Sequence, residues 1–195
     1  ANQLSFHRVD LSSESQVKRF AKEVHKKAGR VDILINNAGV GGRLVRIEET
    51  SKKEYDEIMQ GNLLSAFLMS KYFIPFFRKL GGGLIINVSS FAGVRAAPRL
   101  FSYSASKFGV LALSQCIAKE NADSGLKCYT VCPGGMNTSM RSDLFGHEDA
   151  QKQQSTDFVA DVIFQTIEGK VEVESGGDIV IRHGKITTIH PCPAA

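Results

Sequence analysis

A tyrosine and a lysine that lie four residues apart could carry out acid–base chemistry in this chain. Tyr103 and Lys107 belong to the run Ser-Tyr-Ser-Ala-Ser-Lys, and their spacing places both side chains on one face of a helix. There the lysine ammonium can favour the phenolate and lower the tyrosine pKa from about 10 toward neutrality. Such a tyrosine is a general acid or base for a carbonyl or an alcohol, and the hydroxyl of Ser90, thirteen residues upstream, can hold the same oxygen atom.

Two further motifs follow predicted strands, and one asparagine lies inside a predicted helix. The motif Asn36-Asn37-Ala38-Gly39 comes after one strand, and the segment 133–138 comes after another. Small residues let the backbone approach a ligand closely, although a polar turn after a strand has the same composition. The Asn62 amide can donate and accept hydrogen bonds together, and a polar residue at a helix irregularity is the alternative explanation.

This ordered set resembles the short-chain dehydrogenase/reductase family. The pattern Tyr-x-x-x-Lys by itself is a weak signal, because many helices carry it by chance, whereas four motifs in the right order and spacing are specific. The resemblance runs over nearly the whole chain, from Asp10 to about Arg182. It implies an enzyme, namely an NAD(P)-dependent oxidoreductase that interconverts a carbonyl and an alcohol by hydride transfer, with NAD or NADP as the cofactor.

The resemblance implies a catalytic tetrad formed by Asn62, Ser90, Tyr103 and Lys107. Tyr103 would be the general acid/base, and Ser90 would polarise the carbonyl oxygen. Lys107 would lower the tyrosine pKa and bind the nicotinamide ribose, while Asn62 would hold a water molecule of a proton relay. An exposed helix lysine and a strand-end serine are the alternative explanations. Ser89 is the alternative to Ser90, although strand alternation would point it to the other face of the sheet.

The resemblance also implies which residues bind the cofactor, with Tyr103 and Lys107 among them. Asp10, at the end of a predicted strand, would contact the adenine ring together with Leu11, although an aspartate before two serines is also an ordinary helix-entry residue. The Asn-Asn-Ala-Gly motif would lie beside the adenosine, and the segment after Pro133 would hold the nicotinamide carboxamide. The remaining expected contacts are Asn36, Asn37, Ala38, Gly39, Pro133, Gly134, Met136 and Thr138. No metal site is expected.

Strands and helices alternate along the chain, which predicts an α/β fold. The predicted architecture is a doubly wound parallel sheet (Rossmann-like) in a single domain over residues 1–195, with ligand sites at the carboxyl ends of the strands. Residues 139–154 are expected to form a mobile substrate loop in which Met140, Leu144 and Phe145 are possible apolar contacts. The predicted strands are 4–9, 31–35, 84–88, 126–132 and 177–182, and the predicted helices are 13–29, 51–80, 103–123 and 157–168.

The front of the chain departs from the family pattern. Family members open with a strand and a glycine-rich turn that cradles the cofactor pyrophosphate at a helix N-terminus. Nothing before Asp10 supplies that turn, so the fold is expected to lack its first strand–helix–strand unit, and residues 31–35 are expected to expose an apolar strand edge. The run Gly39-Val40-Gly41-Gly42 could substitute for the turn, but it lacks a third glycine and a clear helix start, which favours a flexible loop.

Two other functions stay open at this point. A truncated chain that cannot bind the cofactor would be non-catalytic, and cofactor would then not raise its melting temperature. A nucleotide-sugar epimerase or dehydratase also carries Tyr-x-x-x-Lys, but the Asn-Asn-Ala-Gly motif and the short C-terminal part argue against that class.

Composition and charge exclude further classes and suggest the partners. Hydrophobic residues make up 43% of the chain and charged residues 23%, and the net charge of +4 comes without a long block of one sign or the interleaved basic and aromatic residues typical of nucleic-acid binding. No apolar stretch is long enough to span a membrane. The four cysteines form no Cys-x-x-Cys pair, which fits a reducing, cytoplasmic location. The expected partners are a small-molecule carbonyl or alcohol substrate and, by resemblance, further copies in a homodimer or homotetramer that pair through helices 51–80 and 103–123.

Overall fold

The computed structural model describes residues 4–194, in which seven α-helices and five β-strands follow one another. The strands are β1 (Ile33–Asn36), β2 (Gly83–Val88), β3 (Leu126–Pro133), β4 (Asp178–Arg182) and β5 (Lys185–His190). The helices are α1 (Glu14–Ala28), α2 (Lys52–Met59), α3 (Ser65–Lys79), α4 (Phe101–Glu120), α5 (Ser139–Phe145), α6 (His147–Gln151) and α7 (Thr156–Ile167). A π-helical turn, Gln60–Leu64, joins α2 to α3, so the predicted helix over 51–80 is interrupted.

The strands form one sheet in the order β1-β2-β3-β4-β5, and the first four strands are parallel. This arrangement confirms the predicted α/β class and four of the predicted strands. Strand β5 was not predicted, and it pairs antiparallel with β4. His183 and Gly184 join the two strands with φ angles of 53° and 68°, the left-handed geometry that a two-residue hairpin needs.

The predicted strand over residues 4–9 is wrong. In the described part of the chain these residues form no strand, and Leu4 and Phe6 are 78% and 87% exposed. Asp10 therefore does not end a strand. A strand needs a hydrogen-bonded neighbour, and here the sheet ends at β1. The expected apolar edge is present, because Ile33 and Ile35 of β1 are 38% and 43% exposed.

Apolar side chains cover both faces of the sheet. Neighbouring residues of a strand point to opposite faces, so Ile85 and Ile86 of β2 enter two different cores. The first core packs the sheet against α1, α3 and α4, with Phe77 fully buried at its centre. A side chain at Gly83 would overlap the Phe77 ring, so the glycine allows this close packing. The second core packs β3 and β4 against α7.

Replacing Phe77 with alanine should lower the free energy of unfolding by about 3–5 kcal/mol, because the fully buried ring leaves a cavity under β2. Urea denaturation followed by far-UV circular dichroism measures this loss. The matched control is Phe164→Ala, since Phe164 is 58% exposed and its truncation should change stability by only about 0.5 kcal/mol. Equal losses for the two variants would contradict this assignment of the core.

Candidate active site

Helix α4 brings Tyr103 and Lys107 to the carboxyl end of β2. The two residues lie one turn apart, and the Lys107 ammonium is 5.8 Å from the centre of the Tyr103 ring. The Lys107 residue is only 5% exposed, so it is not the exposed helix lysine that its sequence context also allowed. The structure therefore places this predicted pair on one helix face, as its spacing required.

The Lys107 ammonium is held by the sheet. Its Nζ donates to the carbonyl oxygen of Val88 at 2.9 Å, which is its one hydrogen bond within residues 4–194. An ammonium has three donors, so two of them are unused. Burial lowers the Lys107 pKa from 10.5 to about 8, because desolvation penalises the charged form, and the nearby Cys132 thiol partly opposes this effect.

The pKa of Tyr103 differs from the sequence-based expectation. Burial raises the pKa of this phenol above its ordinary value, and an interaction with the Ser90 hydroxyl partly opposes the rise. The Lys107 ammonium donates to the Val88 carbonyl and lies 5.8 Å from the ring centre, and the pKa of Tyr103 is raised with the ammonium in this position. The predicted lowering of the Tyr103 pKa by Lys107 is therefore absent from this arrangement of the site, and the phenol keeps its proton at neutral pH.

The two candidate serines occupy different environments. Ser90 lies on the wall of the same cavity as Tyr103, and its Oγ accepts a hydrogen bond from the amide of Ala92 at 3.1 Å. Ser89 is buried, and its hydroxyl donates to the carbonyl oxygen of Lys107 at 2.8 Å. Ser90 can therefore reach a molecule in the cavity, whereas Ser89 fastens α4 to the end of β2.

Asn62 lies in the π-helical turn and is almost fully buried. Its Oδ1 accepts from the Val40 amide at 2.7 Å, and its Nδ2 donates to the Val40 carbonyl at 3.0 Å and to the Ser106 hydroxyl at 2.9 Å. A side chain at Gly39 would meet both Asn62 Oδ1 and Lys107 Nζ, at 2.9 and 3.4 Å. The asparagine and the lysine therefore approach each other beside Gly39.

The Asn-Asn-Ala-Gly motif ties β1 to its neighbour. Asn36 Nδ2 donates to Asn87 Oδ1 at 2.7 Å, and Asn87 Nδ2 donates to the Ser114 hydroxyl at 2.8 Å. Asn87 was missed in the sequence reasoning, although an asparagine within an apolar strand was the available signal. Asn37 and Ala38 are exposed and line a shallow hollow of about 140 Å³ together with Leu11 and Asn36.

Asp10 does not line that hollow. Its carboxylate accepts hydrogen bonds from the amide of Ser12 at 3.0 Å and from the Ser12 hydroxyl at 2.7 Å, and these bonds lower its pKa. Asp10 thus caps the turn before α1, as a helix-entry residue does.

The glycine run 39–42 lies in a loop that packs against other side chains. Side chains at Gly41 and Gly42 would collide with Met140 and Ile58. The residues that follow, 43–46, form no helix, and a short 3-10 turn begins only at Ile47. This loop therefore has no helix N-terminus at which a pyrophosphate could bind.

The segment 133–138 forms the floor of the cavity beside Tyr103. Pro133 ends β3, and the Gly134 amide donates to the Ile181 carbonyl at 2.7 Å. The Thr138 hydroxyl caps α5 by accepting from the Arg141 amide at 3.2 Å, which leaves its proton free to donate. Gly134, Met136 and Thr138 all line the cavity.

This reaction cavity has a volume of about 440 Å³ and mainly apolar walls. The predicted contacts Met140, Leu144 and Phe145 line it, but the segment that carries them is not the expected loop, because α5 and α6 occupy most of residues 139–154. Further lining residues come from a segment that was not predicted because it has no periodic pattern: Phe91, Ala92, Arg95, Ala96, Ala97, Pro98 and Leu100. Ser90 and Tyr103 line a mainly apolar cavity, to which Arg95, Thr138 and Arg141 also contribute, and this lining suits a carbonyl with an apolar substituent.

Two structural features are absent from residues 4–194. This part of the chain has no group of three or more histidine, cysteine, aspartate or glutamate side chains placed to hold a metal ion. It also has no helix with the length and apolar character needed to cross a bilayer.

Comparison with known proteins gives concordant matches. The family model described as short chain dehydrogenase matches residues 1–149. An uncharacterized oxidoreductase of Thermotoga maritima is 43% identical over 122 residues, which are 60% of this chain and 48% of the relative, so the chain spans about half the relative's length.

Two solved structures have the same fold. The 3-ketoacyl-(acyl-carrier-protein) reductase from Brucella melitensis, complexed with NADH, is 26% identical with a TM-score of 0.81, and the match covers 89% of this chain and 74% of that one. The protein ElxO with NADP bound is 29% identical with a TM-score of 0.83, covering 91% and 76%.

The buried ammonium of Lys107 predicts a pH dependence of stability. Below pH 8 the ammonium is buried in the folded chain at a cost, and above pH 10.5 the amine is neutral in both the folded and the unfolded chain. The free energy of unfolding, relative to that of Lys107→Met, should therefore rise by about 3 kcal/mol across this window.

Urea titrations at several pH values measure this difference. Lys185→Met is the control, because Lys185 is exposed in β5 and its removal should leave the pH profile parallel to that of the parent chain. A flat difference between the parent chain and Lys107→Met would show that the ammonium is not desolvated.

Proposed function

Because this chain belongs to the short-chain dehydrogenase family, we propose that it is an NAD(P)-dependent oxidoreductase that interconverts a carbonyl and an alcohol. One observation carries the proposal: Ser90 and Tyr103 line one cavity, and the buried Lys107 lies one helical turn behind the tyrosine. This arrangement offers a proton donor and an oxygen-holding hydroxyl at the same place.

The described residues fit the nicotinamide half of such a cofactor. The Lys107 ammonium has two unused donors for ribose hydroxyls, and the Thr138 hydroxyl has a free proton for a carboxamide oxygen. Met136 lines the same cavity as Thr138. NADH and NADP, which accompany the two similar structures, support NAD or NADP as the cofactor here. When bound, the cofactor would supply or accept the hydride.

On the adenosine side, only some of the proposed contacts line a common hollow. Leu11, Asn36, Asn37 and Ala38 line a hollow that a flat ring could enter. Gly39 does not line this hollow but lies against Asn62 and Lys107, where its lack of a side chain would leave room for the cofactor. Asp10 stays a proposed adenine contact, and binding there would compete with its hydrogen bonds to Ser12.

Each residue of the tetrad has a distinct task in reduction. Ser90 holds and polarises the carbonyl oxygen, and Tyr103 delivers a proton to that oxygen. The raised pKa of Tyr103 suits this direction, because the phenol keeps its proton until negative charge develops beside it. Lys107 would then stabilise the phenolate, and Asn62 would anchor the relay that returns a proton.

A second copy of the chain is the proposed protein partner. Helices α3 and α4, which cover most of the two helices predicted to pair, carry exposed aromatic side chains, with Phe67 at 42%, Phe101 at 47% and Phe108 at 41% exposure. Large exposed apolar side chains on two neighbouring helices support an interface, although single ones occur on any protein surface.

Replacing Tyr103 with phenylalanine should lower turnover of carbonyl compounds by a factor of at least about 100, because the proton donor is lost while the ring remains. Cofactor affinity should stay near the parental value, since the change removes one hydroxyl from the cavity. Initial rates from nicotinamide absorbance and a cofactor titration by fluorescence measure the two effects.

Tyr55→Phe is the matched control, because Tyr55 stacks on Phe101 and does not line the reaction cavity. It should keep parental turnover. Near-parental turnover in Tyr103→Phe would remove Tyr103 from the mechanism. A parent chain with no saturable cofactor binding would support the non-catalytic alternative instead.

A further inference from the structure

A second cavity adjoins the reaction cavity and has a different chemical character. Its volume is about 720 Å³, and it shares Phe91, Gly134, Gly135 and Arg141 with the reaction cavity. The shared residues mean that one molecule can extend from the first space into the second. Beyond them the lining becomes mostly polar and basic, although Phe158 is also part of it.

Basic side chains dominate this second space, which we call the basic cavity. Arg141, Lys152, Arg182 and His183 line it, and none of its lining residues is an aspartate or a glutamate. Arg141 is paired with Asp149, whose carboxyl lies 2.5 Å from its Nε. Within residues 4–194 no carboxylate forms a salt bridge with Arg182 or Lys152, so their positive charges are not offset by direct partners.

Arg182 is fixed in place without an acidic partner. Its guanidinium carbon lies 4.3 Å from the centre of the Phe91 ring, and its stem packs on Gly134, where a side chain would come within 3.2 Å of Arg182 Cγ. Stacking uses the face of the guanidinium and leaves its N–H edge available. An arginine held in this way loses little further freedom when an anion binds.

Another lining residue of the basic cavity, Gln154, is held by hydrogen bonds. Gln154 uses both ends of its amide, because Nε2 donates to the Ile181 carbonyl at 3.3 Å and Oε1 accepts from the Gly184 amide at 3.0 Å. This pair joins the start of α7 to the turn between β4 and β5. Arg182 and Gln154 are thus both held in place on the lining of the basic cavity, as a largely pre-formed binding site requires.

We propose that the basic cavity binds an anionic group, a carboxylate or a phosphate, at the far end of the carbonyl substrate. The substrate class is then a carbonyl compound whose apolar segment lies against Phe91 and whose charged end reaches Arg182, with Lys152 adding long-range attraction. Placing the carbonyl at Tyr103 rests on the proposed function. The anion site itself rests only on the geometry of the basic cavity.

Anion binding can be tested without any turnover. Inorganic phosphate and propanoate are titrated into ¹⁵N-labelled chain at constant ionic strength, with chloride as the reference salt. Saturable shifts are expected at the amides of Gly135, Ser155 and Gly184. Arg182→Gln should lower the affinity for at least one of the two anions by about tenfold or more. The anion that loses more affinity shows whether the site prefers a carboxylate or a phosphate.

Two further variants make the titration decisive. Lys185→Gln removes a positive charge from the same hairpin but outside the cavity, and it should leave the affinities unchanged. Lys152→Gln removes the second unpaired charge of the cavity and should weaken binding. The proposal is overturned if neither anion saturates, or if Arg182→Gln and Lys185→Gln bind both anions as the parent chain does.

A pair of matched ketones connects the anion site to catalysis. 6-Oxoheptanoate and 2-heptanone have the same chain length and the same methyl ketone, but the first ends in a carboxylate and the second in a methyl group. 5-Oxohexyl phosphate is the corresponding ketone with a phosphate end. Arg182→Gln should lower kcat/KM for the preferred anionic ketone by about tenfold or more, mainly through KM, and leave 2-heptanone unchanged. Equal effects on charged and neutral ketones would overturn the proposal.

The two proposals can fail separately. If no ketone is turned over but phosphate or propanoate binds in an Arg182-dependent way, the anion site stands and the oxidoreductase proposal fails. If 2-heptanone is reduced, but the parent chain and Arg182→Gln bind phosphate and propanoate with equal affinity, the oxidoreductase proposal stands and the anion-site proposal fails.

Discussion

The contact between Lys107 and the end of β2 is the constraint on which the site depends. The buried ammonium donates to the Val88 carbonyl, and the Ser89 hydroxyl donates back to the Lys107 carbonyl. Gly93 completes the junction, since a side chain there would lie 2.7 Å from the Lys107 backbone. These contacts fix α4 against the strand end, so that Tyr103 and Ser90 reach the same cavity. The same burial that positions Lys107 also lowers its pKa, which couples the geometry of the site to its electrostatics.

Buried amides extend this constraint across the sheet. A chain of hydrogen bonds runs from Asn36 through Asn87 to Ser114, and it crosses from β1 through β2 to α4. A buried polar group without a hydrogen-bond partner costs free energy, so these side chains stabilise the relative positions of β1, β2 and α4 in which all of them are paired. Asn62 acts in the same way from the π-helical turn, where it holds the loop at Val40 and the helix at Ser106. The cavity is therefore framed by polar contacts between elements that are distant in sequence.

Much of this fold and the placement of the candidate tetrad residues was predictable, because strand periodicity and motif spacing are local signals. Residues 84–88 and 126–132 are apolar runs that form central strands, and Tyr103 and Lys107 share a face by helix geometry alone. The strand predicted at residues 4–9 was wrong because a strand needs a neighbour to pair with, and sequence pattern does not show that neighbour. Strand β5 was missed because it depends on a hairpin turn at His183 and Gly184, whose left-handed backbone the sequence pattern did not indicate. The Tyr103 pKa was predicted in the wrong direction, because spacing says nothing about burial or about Val88 as the ammonium's partner.

The most direct test of the oxidoreductase assignment is isotope transfer. The chain is incubated with a simple ketone and with NADH or NADPH deuterated at one face of C4, and the alcohol is analysed by NMR and mass spectrometry. We expect deuterium on the carbinol carbon from one face of the ring only, because a nicotinamide ring held beside Met136 and Thr138 would present a single face to the cavity. Absence of deuterated alcohol with both cofactors, across ketones that fill the apolar cavity, would contradict it.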